Sequence, residues 1–167
     1  YSNDYDGEFP RAGGKSSAWA PKIPNWQGAN RFQAYSLNAD RTGGHASISA
    51  SLYLLVKYAQ VEPKRFVCLN DRGITHFKLR SPAAHGRELI DLWDFGPEPG
   101  KHHSFSYHNP YGPYALTTAC EPGLAVAADR NPWMASPFVK ARDFRKFYPR
   151  DYGEAMRAGN AVAHKYD

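Results

Sequence analysis

The strongest structural signal in the sequence is one apolar stripe between residues 46 and 60. Its apolar residues recur at the spacing of a single face of an amphipathic helix. These residues are Ile48, Leu52, Leu55, Val56 and Ala59. Ser47 is a residue type that caps helix N-termini, and Pro63 cannot continue a helix. The sequence therefore predicts a helix over residues 46–60, with the stripe buried against the rest of the chain.

The composition indicates a core that depends on aromatic rings. Fewer than one residue in five is Leu, Ile, Val or Phe, a proportion often found in disordered chains. Disordered chains also combine high net charge with few aromatic residues. This chain of 167 residues has a net charge of only +5, and Phe, Trp and Tyr make up 14% of it. With 14 glycines and 13 prolines, it is expected to form one folded, loop-rich domain.

Weaker patterns predict short strands, one further helix and a long irregular arm. Strands are expected over residues 65–69, 75–79, 104–108 and 123–129, and a two-turn helix over residues 87–95. The run 123–129 is apolar almost throughout, which is typical of a central strand. Residues 1–45 show no sustained period and are expected to form an arm that lies on the body through its rings.

These patterns together predict a single α+β domain over residues 1–167. In this domain one amphipathic helix packs on a small antiparallel sheet. A loop-rich aromatic arm, residues 1–45, precedes the α+β body, residues 46–167.

The histidines do not have the spacing of a metal site. His102 and His108 share one face of a predicted strand but lie about 20 Å apart at roughly 3.3 Å per residue, and His103 points to the opposite face. Zinc requires its ligand nitrogens at about 2.0–2.1 Å from one ion. The helical motif His-Glu-x-x-His is absent. We therefore expect neither a metal ion nor another cofactor.

Two further motifs fall short of the chemistry that they resemble. The segment around Asp4 and Asp6 resembles the start of a calcium loop but lacks the downstream Glu of an EF-hand, so a polar turn or a helix end is expected there. Ser47 does not lie in a Gly-x-Ser-x-Gly motif and is expected to cap a helix instead. Phosphate-binding and dinucleotide-binding glycine motifs are also missing. The sequence therefore predicts a protein that is not an enzyme.

The two cysteines leave two interpretations open. Cys68 and Cys120 are far apart in the chain, and no Cys-x-x-Cys motif is present, which excludes four-thiolate zinc and iron–sulfur sites. They are either two separate buried thiols or one disulfide formed in an oxidising compartment.

The positive charge is concentrated between residues 140 and 150, where rings are interleaved with basic side chains. One interpretation is a patch that binds anionic groups of a partner, since Arg and aromatic residues are enriched at protein interfaces. The other is a solvated turn whose rings are buried while its charges stay in water. A single short basic stretch is weak support for nucleic-acid binding, so no nucleic-acid partner is expected. The candidate partner-binding residues are Trp19, Trp26 and Phe32 of the arm, and Lys140, Arg142, Phe144, Arg145, Lys146, Phe147 and Tyr148.

Six segments spread over most of the chain carry a resemblance to a known family. They are Tyr1-Ser-Asn-Asp-Tyr-Asp-Gly-Glu-Phe-Pro10, Ser51-Leu-Tyr-Leu-Leu-Val-Lys-Tyr58, Pro63-Lys-Arg-Phe-Val-Cys68, Ser104-Phe-Ser-Tyr-His-Asn-Pro110, Ala127-Ala-Asp-Arg-Asn-Pro132 and Asn160-Ala-Val-Ala-His164. In this order they resemble the prepilin-type proteins, the type II secretion pseudopilin-like group abundant in planctomycete-type bacteria. The first resembles the end of the pilin helix and its exit turn, the next two a second helix and the strand behind it, and the following two strands of the sheet. The last, with Asp167, resembles the lead-in to a final strand.

The resemblance implies an extracytoplasmic domain, in the periplasm or an equivalent compartment. In this family a leader and a long hydrophobic helix come before such a domain, so the helix is expected before Tyr1 and the final strand after Asp167. The chain is thus expected to be an internal piece, anchored to the membrane only through that helix before processing. A sheet that lacks its last strand exposes an unpaired edge.

The expected function is that of a non-catalytic protein-binding module. It would serve as an accessory or assembly subunit that docks on a larger extracytoplasmic protein or complex, acidic at the contact. The alternative is a structural pseudopilin-like subunit of a type II secretion or type IV pilus-like machine. A metal-dependent hydrolase is disfavoured by the histidine spacing.

Overall fold

A computed structural model of the protein describes residues 2–69, 71, 74–79, 86–108, 110, 116–121 and 125–129. The α-helices in this part of the chain are α1 (Arg31–Tyr35) and α2 (Ile48–Ala59), and the strands are β1 (Ala18–Trp19), β2 (His45–Ala46), β3 (Phe105–Tyr107) and β4 (Ala127–Asp129). Short 3-10 helices cover Ser2–Asp4, Pro63–Phe66, Leu89–Asp91 and Pro99–Lys101. One main helix with small sheets confirms the predicted α+β class.

Helix α2 forms where the apolar stripe predicted it, and Ser47 caps it as expected. The Ser47 side chain accepts a hydrogen bond from the Ala50 N–H at 3.0 Å, which satisfies one of the donors left open at a helix start. Burial extends beyond the predicted stripe, because the N-terminal arm and a later turn cover additional faces of the helix. The Ala12 N–H of the arm donates to the Ser51 hydroxyl at 3.2 Å, and the Tyr53 hydroxyl donates to the Leu89 carbonyl at 2.9 Å.

The end of α2 is set by Gln60 rather than by Pro63. Gln60 has a φ of 54° in the left-handed region, and the Val61 N–H donates to the Leu55 carbonyl at 3.1 Å. This bond joins residues six positions apart, one more than in a Schellman motif, and Gln60 takes the left-handed conformation that glycine usually adopts at a helix end. Pro63 instead begins the next 3-10 helix, Pro63–Phe66.

We expect the substitution Gln60→Gly to stabilise the protein. A residue with a Cβ in the left-handed region is strained, so glycine should raise the free energy of unfolding by about 0.5–1 kcal/mol. Urea denaturation of the two proteins measures the difference. Gln60→Ala keeps the Cβ and serves as the control, so equal effects of the alanine and glycine substitutions would contradict the assignment.

The strands form two small sheets. β1 pairs in parallel with β2, and β3 pairs antiparallel with β4 in a register that places Tyr107 opposite Ala127. Helix α2 contacts β3, so the predicted packing of one helix on a small antiparallel sheet is confirmed. The central position expected for residues 123–129 is not seen: the described part, β4, pairs with β3 alone, and Ala127 and Ala128 are exposed.

Three further predicted elements are wrong in the described residues. Residues 65–69 do not form a strand, because Pro63 starts a 3-10 helix in which the Arg65 N–H donates to the Glu62 carbonyl at 2.9 Å. Residues 75–79 have no regular structure. Residues 87–95 form only the 3-10 helix Leu89–Asp91. The Trp93 N–H donates to the Trp26 carbonyl of the arm at 2.9 Å instead of to a carbonyl within a helix.

The described residues form two core clusters that contain aromatic rings, as the composition predicted. The larger one contains Leu52, Tyr53, Val56, Phe66, Phe77, Leu92, Phe95, Tyr107 and Leu116. Phe95 lies at its centre, with ring centroids 4.8 Å from Tyr53 and 5.2 Å from Phe66 in edge-to-face contacts. Such pairs add to the stabilisation from buried area alone.

The smaller cluster joins the arm to the body. It contains Ala12, Ile23, Ala34 and Tyr35 from the arm, and Ala50 and Trp93 from the body. The Trp93 indole N–H donates to the Gly28 carbonyl at 2.9 Å. At Gly28 an added Cβ would come within 2.6 Å of the Ala34 backbone nitrogen, so only glycine permits this approach of the arm to α1. The arm is therefore part of the folded domain, and it contains α1 and β1.

None of the helices in the described part of the chain combines the length and the apolar character that crossing a lipid bilayer requires.

Candidate binding site

The structure places the predicted partner-binding residues in different settings. The basic and aromatic residues Lys140, Arg142, Phe144, Arg145, Lys146, Phe147 and Tyr148 lie outside the described residues. Trp19 and Phe32 are exposed, with 44% and 39% of their surface accessible. Trp26 is partly buried, packs against both core clusters and meets the Phe77 ring edge-on at 6.1 Å. Trp26 thus holds the arm to the body, while Trp19 and Phe32 lie at the surface.

A cavity of about 280 Å³ lies between the start of the arm, α1 and α2. Its lining is rich in aromatic and charged side chains, and we call it the arginine–aromatic cleft. The lining includes Tyr5, Tyr35, Tyr58, Trp93, Arg11, Arg31 and Glu8.

Two aromatic pairs form walls of the cleft. Tyr35, the last residue of α1, meets Trp93 edge-on with ring centroids 5.5 Å apart, and both rings belong to the smaller core cluster. Tyr5 and Tyr58 lie 5.9 Å apart and remain 38% and 47% exposed. The Tyr35–Trp93 pair is therefore part of the core, and the Tyr5–Tyr58 pair is partly exposed to solvent.

Arg31 is held in a defined position at the cleft. Its Nε and Nη2 atoms both donate to the Gly13 carbonyl, the first at 3.1 Å. Its Nη1 amino group makes no hydrogen bond within the described part of the chain. Burial raises the pKa of the Tyr58 hydroxyl and Tyr5 raises it further, whereas the nearby charge of Arg31 lowers it. Arg31 and Tyr58 both line the cleft.

The lining of the cleft also contains the guanidinium of Arg11 and the carboxylate of Glu8. The Arg11 Nη2 atom lies 3.5 Å from the Glu8 Oε2 atom, and both side chains are largely exposed. Two other ion pairs in the described residues are tighter: Lys64–Glu62 at 2.8 Å and Lys101–Glu98 at 2.7 Å. The Arg11–Glu8 contact is consequently a loose one.

Lys57 adds a cation beside the cleft. Its Nζ atom lies 4.2 Å from the centroid of Trp93 and 5.8 Å from that of Tyr58, and it also donates to the Ile90 carbonyl. Burial lowers the pKa of Lys57, and the charge of Asp91 partly opposes this. Cation–π contacts of this kind orient the Trp93 ring that walls the cleft.

The lining residues of the cleft are of types that bind ligands. Guanidinium groups recognise carboxylates with paired hydrogen bonds, phenols donate hydrogen bonds, and the rings offer flat apolar surface. Local sequence patterns do not reveal this site, because its residues come from four separated parts of the chain. The one available signal was Tyr58, a large ring on the helix but off its apolar stripe.

The other residues considered from the sequence do not converge. His102 Nδ1 contacts the Thr75 carbonyl at 2.8 Å, and His103 Nδ1 contacts the Phe105 carbonyl at 3.0 Å. Among the described residues, no group of three or more His, Cys, Asp or Glu side chains is arranged to hold a metal ion. Asp4 ends the first 3-10 helix and Asp6 lies in the exposed turn that follows, as expected.

Cys68 and Cys120 are thiols, with no disulfide between them. The Cys68 N–H donates to the Ser104 hydroxyl at 3.0 Å, and the Cys120 sulfur accepts from the Thr117 N–H at 3.3 Å. The Cys68 backbone is thus tied to the segment before β3, and Cys120 lies in a local turn with Thr117.

Comparison of the chain with protein-family models, with curated proteins and with solved structures gave no match. Membership of the pseudopilin-like family therefore stays a prediction from the sequence.

Proposed function

We propose that this domain is a non-catalytic protein-binding module, an accessory or assembly subunit of a larger extracytoplasmic complex. The arginine–aromatic cleft is the observation that carries the proposal. Tyr, Trp and Arg are the residues most enriched in the energetic centres of protein interfaces. Tyr5, Tyr58, Trp93, Arg11 and Arg31 come together around one cavity.

The distribution of exposed rings supports the same function. Among the large apolar side chains exposed in the described residues, the rings are Tyr5, Trp19, Phe32 and Tyr58. Three of them belong to the arm. The fourth, Tyr58, packs against Tyr5 with ring centroids 5.9 Å apart. Clustered exposed apolar groups mark interaction sites more often than scattered ones do. The arm and the cleft are therefore the surface that we assign to the partner.

The extracytoplasmic setting and the pseudopilin-like alternative are supported by the sequence resemblance. The two functions differ in what contacts the cleft. An accessory subunit binds a different protein, whereas a structural subunit of a pilus-like machine contacts copies of its own chain.

Photocrosslinking from the cleft tests the proposal. Tyr58 is replaced by the photoreactive residue p-benzoylphenylalanine in the full-length protein, which is produced in its own organism and irradiated. We expect one discrete adduct with a different protein, identified by mass spectrometry, and its yield should fall when Arg11→Gln is added. The exposed Tyr58 ring makes its replacement tolerable for the fold.

The matched control carries the same photoreactive residue at Leu69, which is fully exposed and does not line the cleft. It should give no adduct of the same mass. Adducts made of copies of the chain would support the structural-subunit alternative. Equal adducts from positions 58 and 69, or none from position 58, would contradict binding at the cleft.

A further inference from the structure

Resting on the proposed function, we infer that the arginine–aromatic cleft receives a single carboxylate of a partner peptide, and that Glu8 is an internal competitor which leaves Arg11 when the ligand enters. The carboxylate is the side chain of an Asp or Glu next to an aromatic residue. Glu8 and Arg11 therefore set the affinity of the site in opposite directions.

The charges of the cleft favour an anionic ligand. Two guanidiniums, those of Arg11 and Arg31, and one carboxylate, that of Glu8, line the cleft. Arg31 is already oriented by its bonds to the Gly13 carbonyl, so little conformational freedom is lost when it binds. Arginine pairs with carboxylates through two parallel hydrogen bonds, which gives the contact both strength and direction.

The size and the walls of the cleft favour a peptide. Pockets for small molecules span about 300–1,000 Å³, and this one, at about 280 Å³, holds one large side chain or two small ones. Tyr5 and Tyr58 present exposed rings on which an aromatic side chain of the ligand can pack. A carboxylate beside an aromatic residue matches both features.

The Glu8 side chain is placed to compete with a ligand carboxylate for Arg11. The Glu8 backbone is fixed, because its N–H donates to the Tyr5 carbonyl at 2.8 Å and the residue bridges to Thr117. Its side chain is half exposed, and the distance of 3.5 Å to Arg11 is long for an ion pair. Exposed pairs of this kind contribute little to stability, so the ligand carboxylate can replace Glu8 at modest cost.

The local sequence disfavours a nucleic acid at this site. Asp4, Asp6 and Glu8 lie within four residues of one another around Tyr5. Binding to nucleic acid depends on neutralising several phosphates at once, and these carboxylates oppose a run of phosphates more strongly than one carboxylate that contacts the arginines directly. A single carboxylate on a peptide needs only the two arginines.

Defined probes test this inference with the full chain. The probe peptide is acetyl-Ser-Trp-Glu-Ser-amide, the matched peptide carries Gln in place of Glu, and a hexamer of deoxythymidine represents nucleic acid. Binding is measured by NMR titration at low salt. We expect the Gln peptide to bind about tenfold more weakly than the Glu peptide, since it lacks the charge-assisted contact.

Two pairs of variants test whether Glu8 competes with the ligand carboxylate for Arg11. Arg11→Gln should weaken binding of the Glu peptide by about tenfold, and Glu8→Gln should strengthen it by about threefold. Glu62→Gln and Lys64→Gln make the same charge changes in an ion pair that does not line the cleft, and each should change affinity less than twofold.

The inference is overturned if the Glu and Gln peptides bind equally, if the oligonucleotide binds more tightly than the Glu peptide, or if Glu8→Gln and Glu62→Gln have equal effects. These failures leave the Tyr58 crosslink to a partner protein intact, so they are distinct from a failure of the proposed function. Conversely, peptide binding without a crosslink would retain the carboxylate site and remove the protein-binding role.

Discussion

The substitution Phe95→Ala is expected to lower the free energy of unfolding by about 3–5 kcal/mol. Phe95 is fully buried, and its ring meets those of Tyr53, Phe66 and Phe77 in edge-to-face geometry. Removing the ring deletes these contacts and leaves a cavity that its aromatic neighbours can fill only by shifting together. Small domains have a total stability of about 5–15 kcal/mol, so a large part of it would be lost.

Urea denaturation followed by circular dichroism measures this effect. The control is Phe32→Ala, which is the same chemical change at a ring that is 39% exposed on α1. We expect that control to lose less than about 1 kcal/mol. Similar losses for the two variants would show that the larger cluster does not have the packing described here.

Stability is expected to fall as the pH rises from 5 to 8, because of Asp94. This carboxyl is fully buried, and it accepts hydrogen bonds from the Phe95 N–H at 2.8 Å, from the Ser49 hydroxyl at 3.0 Å and, at 3.4 Å, from the Ser47 hydroxyl. Burial raises its pKa from 3.8 to about 7, although the hydrogen bonds act in the opposite direction. The loss of solvation of the charged carboxylate therefore affects the pKa more than the hydrogen bonds that stabilise it.

The sign follows from the direction of the shift. Below pH 4 the Asp94 carboxyl is protonated in both the folded and the unfolded chain, and its contribution to stability is fully present. Between pH 4 and 7 the unfolded chain releases the proton while the folded chain keeps it, so the stability contribution is progressively lost. Over pH 5 to 8 the loss amounts to about 3 kcal/mol.

The variant Asp94→Asn isolates this contribution. Asparagine resembles the protonated carboxyl and cannot ionise, so the difference in stability between wild type and variant should shrink or reverse as the pH rises. Histidines titrate in both proteins and cancel in the difference. Asp40→Asn, at an exposed carboxyl with a lowered pKa, should keep the pH profile of the wild type over this range. Parallel profiles for wild type and Asp94→Asn would contradict the assignment to Asp94.

Local sequence patterns predicted some elements well and failed at others for identifiable reasons. Helix α2 was predictable because its stripe and its Ser47 cap are local properties of one segment. The strand expected over residues 65–69 failed because Pro63 imposes a 3-10 turn before any pairing can form. The helix expected over residues 87–95 shortened to one turn because the Trp93 backbone bonds to the arm instead.

The assignment of rings to core or surface also needed the tertiary structure. Trp19 and Trp26 lie in the same loop-rich arm and look alike in sequence, yet Trp26 packs against both clusters and Trp19 is 44% exposed. No periodicity exists in the arm that could distinguish them. The partner-binding role of residues 140–148 stays a prediction.

The sequence by itself determined the α+β class, the position and cap of α2, and a core built from aromatic rings, since composition and short-range periodicity suffice for these features. Only the tertiary structure determined which residues line the arginine–aromatic cleft and that Asp94 is buried. The cleft joins Tyr5, Arg31, Tyr58 and Trp93 through contacts between distant segments. A polar residue in a loop is ordinarily exposed, and Asp94 is buried because the arm and α2 close around it. Which side chains share one site depends on long-range packing, which no local pattern encodes.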